Sequence, residues 1–281
     1  MPFETLETLS LPGDELKPND DAFAHTENAA VVLDGATSLG DPLMPGESDA
    51  AWIAHFGARR LMAHIRDGEA PRAALRYALA DAKKSFEGLR RHPPKEKWQT
   101  PYASMMFAHD LPDGFGALSF GDCVALVKRP GEKIEVLGEA FDKRAAESRH
   151  VAKLAAEKGL PPASGANRPE YLPALRAARN RVNSGRHWSF SPDERAADHA
   201  QEWLVMAPRG TIVLLASDGF LALASDYGAY DAEGLVSTAQ AKGLGALGAE
   251  LRAIEANDPE GHKFPRFKKS DDATAVLLKL V

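Results

Sequence analysis

Three apolar segments of this chain each begin or end on an aspartate, and that coupling of strand to acid constrains the fold more than any other feature. The first runs Asp21-Ala-Phe-Ala-His-Thr26, breaks at Glu27-Asn28 and resumes as Ala29-Ala-Val-Val-Leu-Asp-Gly35. Two short strands around a polar break predict a hairpin. The second, Thr211-Ile-Val-Leu-Leu-Ala-Ser-Asp-Gly219, holds an unbroken apolar run from Ile212 to Ala216, the pattern of a strand covered on both faces. The third is the terminal segment Asp271-Asp-Ala-Thr-Ala-Val-Leu-Leu-Lys-Leu-Val281. A further β region spans 103–137, with turns at Leu111-Pro-Asp-Gly114 and Pro130-Gly131.

Helical periodicity fills the remainder. Residues 48–67 carry a broad stripe including Trp52, Ile53, Phe56, Leu61 and Ile65. Residues 71–91 set Leu75, Leu79, Ala82, Phe86 and Leu89 at alternating four- and three-residue spacing, one face of a helix. Residues 141–206 are polar, rich in Arg, Ala and Glu, and read as mostly helical; residues 229–257 read as helical again. Strands and helices do not alternate in regular βα units, so the pattern predicts an α+β fold with largely antiparallel sheets. At 281 residues and 44% hydrophobic, the chain is long and apolar enough for a large core.

Charge and cysteine content exclude several classes. With 34 basic and 40 acidic side chains the formal net charge is -6, so a chain-wide basic footprint for nucleic acid is missing. One cysteine cannot form an internal disulfide, which fits a reducing compartment. The acidic start of the chain does not read as a secretory leader, and no apolar run is long enough to span a bilayer. The expectation is a cytoplasmic protein without membrane or nucleic-acid partners.

Three motif matches fail on context. Gly243-Leu-Gly-Ala-Leu-Gly248 has dinucleotide-loop spacing, but the residues before it read as helix, and that motif needs a preceding strand to aim its amides. Cys123 and Arg129 have the spacing of a cysteine phosphatase loop, yet Val124-Ala-Leu-Val127 between them reads as a strand. At ~3.3 Å per residue, that strand separates the two by roughly 20 Å. The nine histidines show no paired zinc-ligand spacing.

The acids at the strand ends form a better constellation. A hairpin centred on Glu27-Asn28 sets Asp21 directly opposite Asp34, at ~5 Å, where like charges destabilise. A bound cation removes that penalty, and an all-oxygen set suits magnesium or manganese. If the second and third segments are antiparallel neighbours, Asp218, Asp271 and Asp272 gather at one rim of a sheet. Any one of these acids alone reads as a turn or cap residue; four at the ends of apolar strands favour a metal.

In order, Asn19-Asp20-Asp21-Ala22, Val31-Val-Leu-Asp34-Gly35, Ser119-Phe-Gly121-Asp122, Leu215-Ala-Ser217-Asp218-Gly219 and Asp271-Asp272-Ala-Thr274 resemble the motifs of the metal-dependent type 2C serine/threonine protein phosphatases. The resemblance runs from about residue 15 to 281 and is faint over 141–206. It implies a single phosphatase domain over 1–281, built as two antiparallel sheets packed face to face between helices, with a polar, mainly helical insert or flap around 141–206. It also implies a binuclear Mn²⁺/Mg²⁺ centre. Asp34 would bridge both ions, Gly35 (by its carbonyl) and Asp21 would hold one, and Asp218 and Asp271 the other. Asp20 would serve beside or in place of Asp21, and Asp122 would hold a weaker third ion. A hydroxide shared by the two ions would attack the phosphorus of a phosphorylated protein.

Three positions depart from the family pattern. Ala36 stands where animal members carry a His acid, Leu16 where members carry a phosphate-binding Arg, and Ala222 where members commonly carry an acid. Lys17, next to Leu16, is the candidate phosphate-binding cation, as a point charge without the arginine fork. The alternatives are a small-molecule phosphomonoesterase of the same chemistry and a phosphatase-like binding or regulatory module with little turnover.

Overall fold

The computed structural model describes residues 1–139, 149, 153, 163 and 168–281. Ten strands form two five-stranded sheets in which every neighbouring pair is antiparallel. The strands are β1 (Phe3–Leu11), β2 (Asp21–His25), β3 (Ala29–Gly35), β4 (Ala103–Leu111), β5 (Gly114–Phe120), β6 (Val124–Lys128), β7 (Glu135–Leu137), β8 (Gln201–Met206), β9 (Ile212–Ala216) and β10 (Ala273–Leu280). One sheet has the order β1-β10-β9-β6-β7, the other β2-β3-β4-β5-β8.

Strand periodicity sorts the side chains into three apolar layers. Along β3, Ala29, Val31 and Leu33 join a core with helices α1 (Asp49–Arg66) and α2 (Pro71–Leu89), while Ala30 and Val32 join a core between the sheets. Along β9, Ile212, Leu214 and Ala216 pack on α4 (Asp218–Ser225), α5 (Ala232–Lys242) and α6 (Leu244–Ala256), while Val213 and Leu215 face the opposite sheet. Successive strand residues point to opposite faces, so one alternating register fills two layers at once. The result is helix, sheet, sheet, helix, the layering that the family resemblance implies, with the antiparallel α+β character that the sequence pattern predicts.

The hairpin register is as expected: Asp21 pairs with Asp34 and Ala22 with Leu33. β9 and β10 are antiparallel neighbours through Ala216 and Ala275, so the acids beyond their ends share one rim. Helix α1 starts at Ser48, whose hydroxyl accepts the Ala51 amide at 3.1 Å.

Two strands escape the sequence reading. Residues 3–11 form β1, an edge strand whose register on β10 shifts between Thr5 and Glu7. The expectation of helix over 141–206 is corrected within the described residues. A helix, α3 (Leu172–Arg179), is present, but Gln201–Met206 is the edge strand β8, paired to β5. In an edge strand only alternate residues are covered; here Val205 is buried while Leu204 and Met206 are exposed yet apolar, so residues 203–206 show no period of two. The rest of the proposed insert, 140–167, lies outside the described residues except at 149, 153 and 163.

The glycine-rich decoy is a helix junction. Gly243 has a φ of 84° between α5 and α6, and the amides of Leu244 and Gly245 donate to the Glu7 carboxylate at 2.8 and 3.1 Å. An acid of the chain itself occupies the place a phosphate would need.

Phe107 on β4 is fully buried in the core between its sheet and the helices. Phe107→Ala should therefore lower unfolding free energy by about 3–5 kcal/mol. Chemical denaturation checks this; a loss below about 1 kcal/mol would contradict the layer assignment.

Candidate metal centre

The alternation that builds the inter-sheet core also places polar groups at its end. On β3 the residues facing the opposite sheet are Ala30 and Val32, so Asp34 continues that row; Asp21 stands beside it on β2. Ser104 on β4 follows the same rule beyond Met106, as do Ser217 after β9 and Thr274 on β10. The sandwich thus ends in acids and hydroxyls.

Most of these acids have donors. The Ser217 hydroxyl donates to Asp21 at 2.7 Å, the Ser104 hydroxyl to Asp122 at 2.6 Å, and the Ser48 hydroxyl to Asp20. The Asp21 amide donates to Asn19 Oδ1 at 2.9 Å, and Asn19 Nδ2 donates to Ser10 Oγ at 2.9 Å. Asp271 is in ion contact with Lys268. Asp272 is consumed structurally: its two carboxylate oxygens accept the amides of Gly13 and Asp20, each at 2.7 Å. The Asp34 carboxylate accepts no hydrogen bond among the described residues.

That carboxylate lies at a tight convergence. Asp34, Asp122 and Asp218 each present an oxygen, and the three oxygens lie within 4.8 Å of one another. Desolvation, then the charges of Asp21, Asp218, Asp271 and Asp122, push Asp34 well above its ordinary value of 3.8. Asp21 rises well above it too, through burial and then Asp272, Asp271 and Asp218, against the Ser217 hydrogen bond. Asp20 is raised by burial, opposed by Ser48 and Lys268. Burial alone would lower the Lys268 ammonium, but Asp271, Asp34 and Asp272 outweigh it and hold that group above its usual value.

Two glycines make the convergence sterically attainable. A Cβ at Gly35 would lie 2.4 Å from the Ala50 carbonyl oxygen, and one at Gly219 would lie 1.9 Å from that of Asp272.

Asp34, Gly35, Asp122, Asp218 and Asp271 line a cavity of about 940 Å³; Asp20, Asp21 and Lys17 do not. Lys17 is 75% exposed and pairs with Asp14 at 3.1 Å. Cations reach the cavity from elsewhere: Arg179 on α3, Arg266 and Lys268. No sequence signal singles out Arg179, one of five arginines among residues 168–186. Its Nε donates to the Tyr102 hydroxyl at 2.9 Å, with its guanidinium 5.1 Å from that ring centroid.

The donor set fits a hard divalent ion. It is all oxygen, it converges, and its central carboxylate lacks a donor where burial makes an unpaired charge costly.

No protein-family model and no curated protein matches the chain. Solved structures do. The serine/threonine phosphatase PstP/Ppp of Mycobacterium tuberculosis aligns over 100% of this chain and 99% of its own at 15% identity, with a TM-score of 0.59. The catalytic domain of PstP in complex with two manganese ions aligns over the same shares at 15% identity and a TM-score of 0.56. The PPM phosphatase MsPP of Mycobacterium smegmatis, in complex with cacodylate, aligns over 99% of both chains at 17% identity and a TM-score of 0.55. At these identities the likeness establishes a shared fold.

Two predictions follow from the geometry. An acid raised in the native state stabilises it fully below its unfolded value of 3.8, and that contribution is lost as pH rises through the raised native value. Without metal, Asp34→Asn should thus melt no lower than the parent chain at neutral pH, and its advantage should shrink as pH falls. Thermal melts in EDTA across pH read this; a mutant melting several degrees lower at neutral pH would mean that Asp34 is a bonded turn residue. Separately, Cys123 is fully buried between the sheets, and burial, then Asp34 and Asp122, push its thiol well up. Native protein should resist iodoacetamide and label only on unfolding; rapid native labelling would refute the burial.

Proposed function

We propose that this chain is a metal-dependent serine/threonine phosphatase of the type 2C kind, a single domain over residues 1–281 that acts in the cytoplasm on phosphorylated protein. The observation that carries the proposal is the donorless Asp34 carboxylate, held within 4.8 Å of Asp122 and Asp218 in a fold shared with manganese-bound PstP. In this reading Asp34 spans two Mn²⁺ or Mg²⁺ ions. Asp21 and the Gly35 carbonyl complete one site, with Asp20 beside them; Asp218 and Asp271 complete the other, and Asp122 serves a third.

When bound, such ions supply an activated hydroxide and Lewis-acid stabilisation of the phosphoryl oxygens. The chain's own residues prepare for this. Ser217, Ser48 and Ser104 fix Asp21, Asp20 and Asp122 by hydroxyl donation, and Lys268 holds Asp271. Arg179, braced on Tyr102, offers the phosphoryl group a planar donor that Lys17, on the outer surface, does not.

One observation favours a second reading, a phosphatase-like binding or regulatory module with little turnover. Leu16, in place of the family arginine, is 91% exposed, and its neighbour Lys17 is occupied by Asp14. Turnover of para-nitrophenyl phosphate and of a phosphothreonine peptide should appear with Mn²⁺ or Mg²⁺ and vanish in EDTA. Asp34→Asn should abolish both the turnover and most of the metal-induced rise in melting temperature. Metal stabilisation without turnover on either substrate would select the binding or regulatory module. Full activity in chelator would overturn the metal reading altogether.

A further inference from the structure

Behind the Tyr102–Arg179 pair lies a second, smaller cavity of about 310 Å³. It shares Tyr102, Arg179 and Val182 with the large cavity, so one layer of side chains separates the two. Four cations line it: Lys83, Lys97, Arg179 and Arg195. Two are neutralised. Arg195 forms a fork with Asp193 at 2.8 and 2.7 Å, and Lys83 faces Glu194 at 3.5 Å. The other two meet only neutral acceptors among the described residues. Lys97 donates to the Asn183 carbonyl at 3.1 Å, and Arg179 to the Tyr102 hydroxyl.

These two charges are held in place by a built frame. Asn183 is buried and left-handed at φ 53°. Its side chain donates to Ser191 Oγ at 2.5 Å and accepts the Ser189 amide at 2.9 Å, which fixes the carbonyl that Lys97 meets. Trp98, next to Lys97, donates its amide to Asn180 Oδ1 at 2.9 Å and carries Arg176 of α3 over its ring at 4.2 Å. The segment bearing Lys97 and the helix bearing Arg179 are therefore locked together. Arg179 and the exposed Lys97 thus bring two cations without an acidic partner, among the described residues, to one cleft, where an oxyanion can meet both.

We infer that the smaller cavity is an oxyanion subsite that receives an acidic group of the substrate, a carboxylate side chain or a second phosphate, flanking the phosphorylated residue. The inference rests on the phosphatase reading, and it makes acidic phosphoproteins the preferred substrate class.

Four matched substrates test it with Mn²⁺: phosphothreonine peptides flanked by alanine, by glutamate or by phosphoserine, and para-nitrophenyl phosphate, which has no flank. The chain should favour the acidic peptides by about tenfold in kcat/KM, the scale of one charged hydrogen bond. The glutamate and phosphoserine arms tell which oxyanion is taken. Lys97→Gln keeps a donor but removes the one of the two unpaired charges that lies outside the large cavity; it should shrink the preference for the acidic peptides several-fold and leave para-nitrophenyl phosphate unaffected. Equal rates on all peptides with the parent chain, or a parallel loss on all four substrates in the variant, would overturn the subsite.

A binding arm keeps the two readings separate. Fluorescent peptides carrying a non-hydrolysable phosphonate in place of the phosphate report affinity by anisotropy, whether or not turnover occurs. If no substrate turns over, the phosphatase reading has failed. An acidic-flank preference that shrinks in Lys97→Gln would still support the subsite, and equal affinities for all peptides would overturn it.

Discussion

Asp21 and Asp34 stand directly opposite one another at the end of an apolar layer, Asp21 buried and Asp34 half-buried on the cavity wall. Like charges so placed repel, and burial adds a desolvation cost to each. Much of the surrounding structure is arranged about that charge. Ser217 bonds Asp21, Ser48 ties Asp20 to the start of α1, and Ser104 steadies Asp122. Asp272 clamps the backbone at Gly13 and Asp20, joining the end of β1 and the start of β2 to β10. The local rule broken here, a half-buried acid without a donor among the described residues, is broken at one place and supported from several sides, as expected of a functional site.

The two sides of the large cavity have opposite electrostatic characters. Acids converge from strand ends, whereas cations arrive from α3 and from the segment before β10. The net charge of -6 hides this division, because an average over the chain says nothing about where arginines cluster. Arg176, stacked on Trp98 and bonded to the Leu39 carbonyl at 2.6 Å, fixes α3 to the body of the fold. Arg179, one turn further along α3, then faces both cavities.

Alternation along the strands was legible because it obeys a local rule. Successive residues point to opposite faces, so the sequence alone predicted the β2–β3 hairpin, the pairing of Asp21 with Asp34, the buried run of β9 and the helices α1 and α2. The same rule fails for edge strands, which bury half a face or less. Hence β1 and β8 went unread; in β8 the exposed but apolar Leu204 and Met206 erase any alternation around Trp203 and Val205.

What tertiary structure alone decided is which distant groups meet. No spacing rule joins Asp122 to Asp34 and Asp218, Glu7 to the start of α6, or Arg179 to Tyr102, because each contact depends on how sheets and helices stack. Strand pattern does not distinguish Asp271 from Asp272, and only the family resemblance singles out Asp271: in the fold it lines the cavity, while Asp272 is spent on the backbone amides of Gly13 and Asp20. The sequence determined that acids would collect at strand ends. Packing decided which of them lacks a donor, since a hydrogen bond between residues far apart in the chain exists only once the layers have closed.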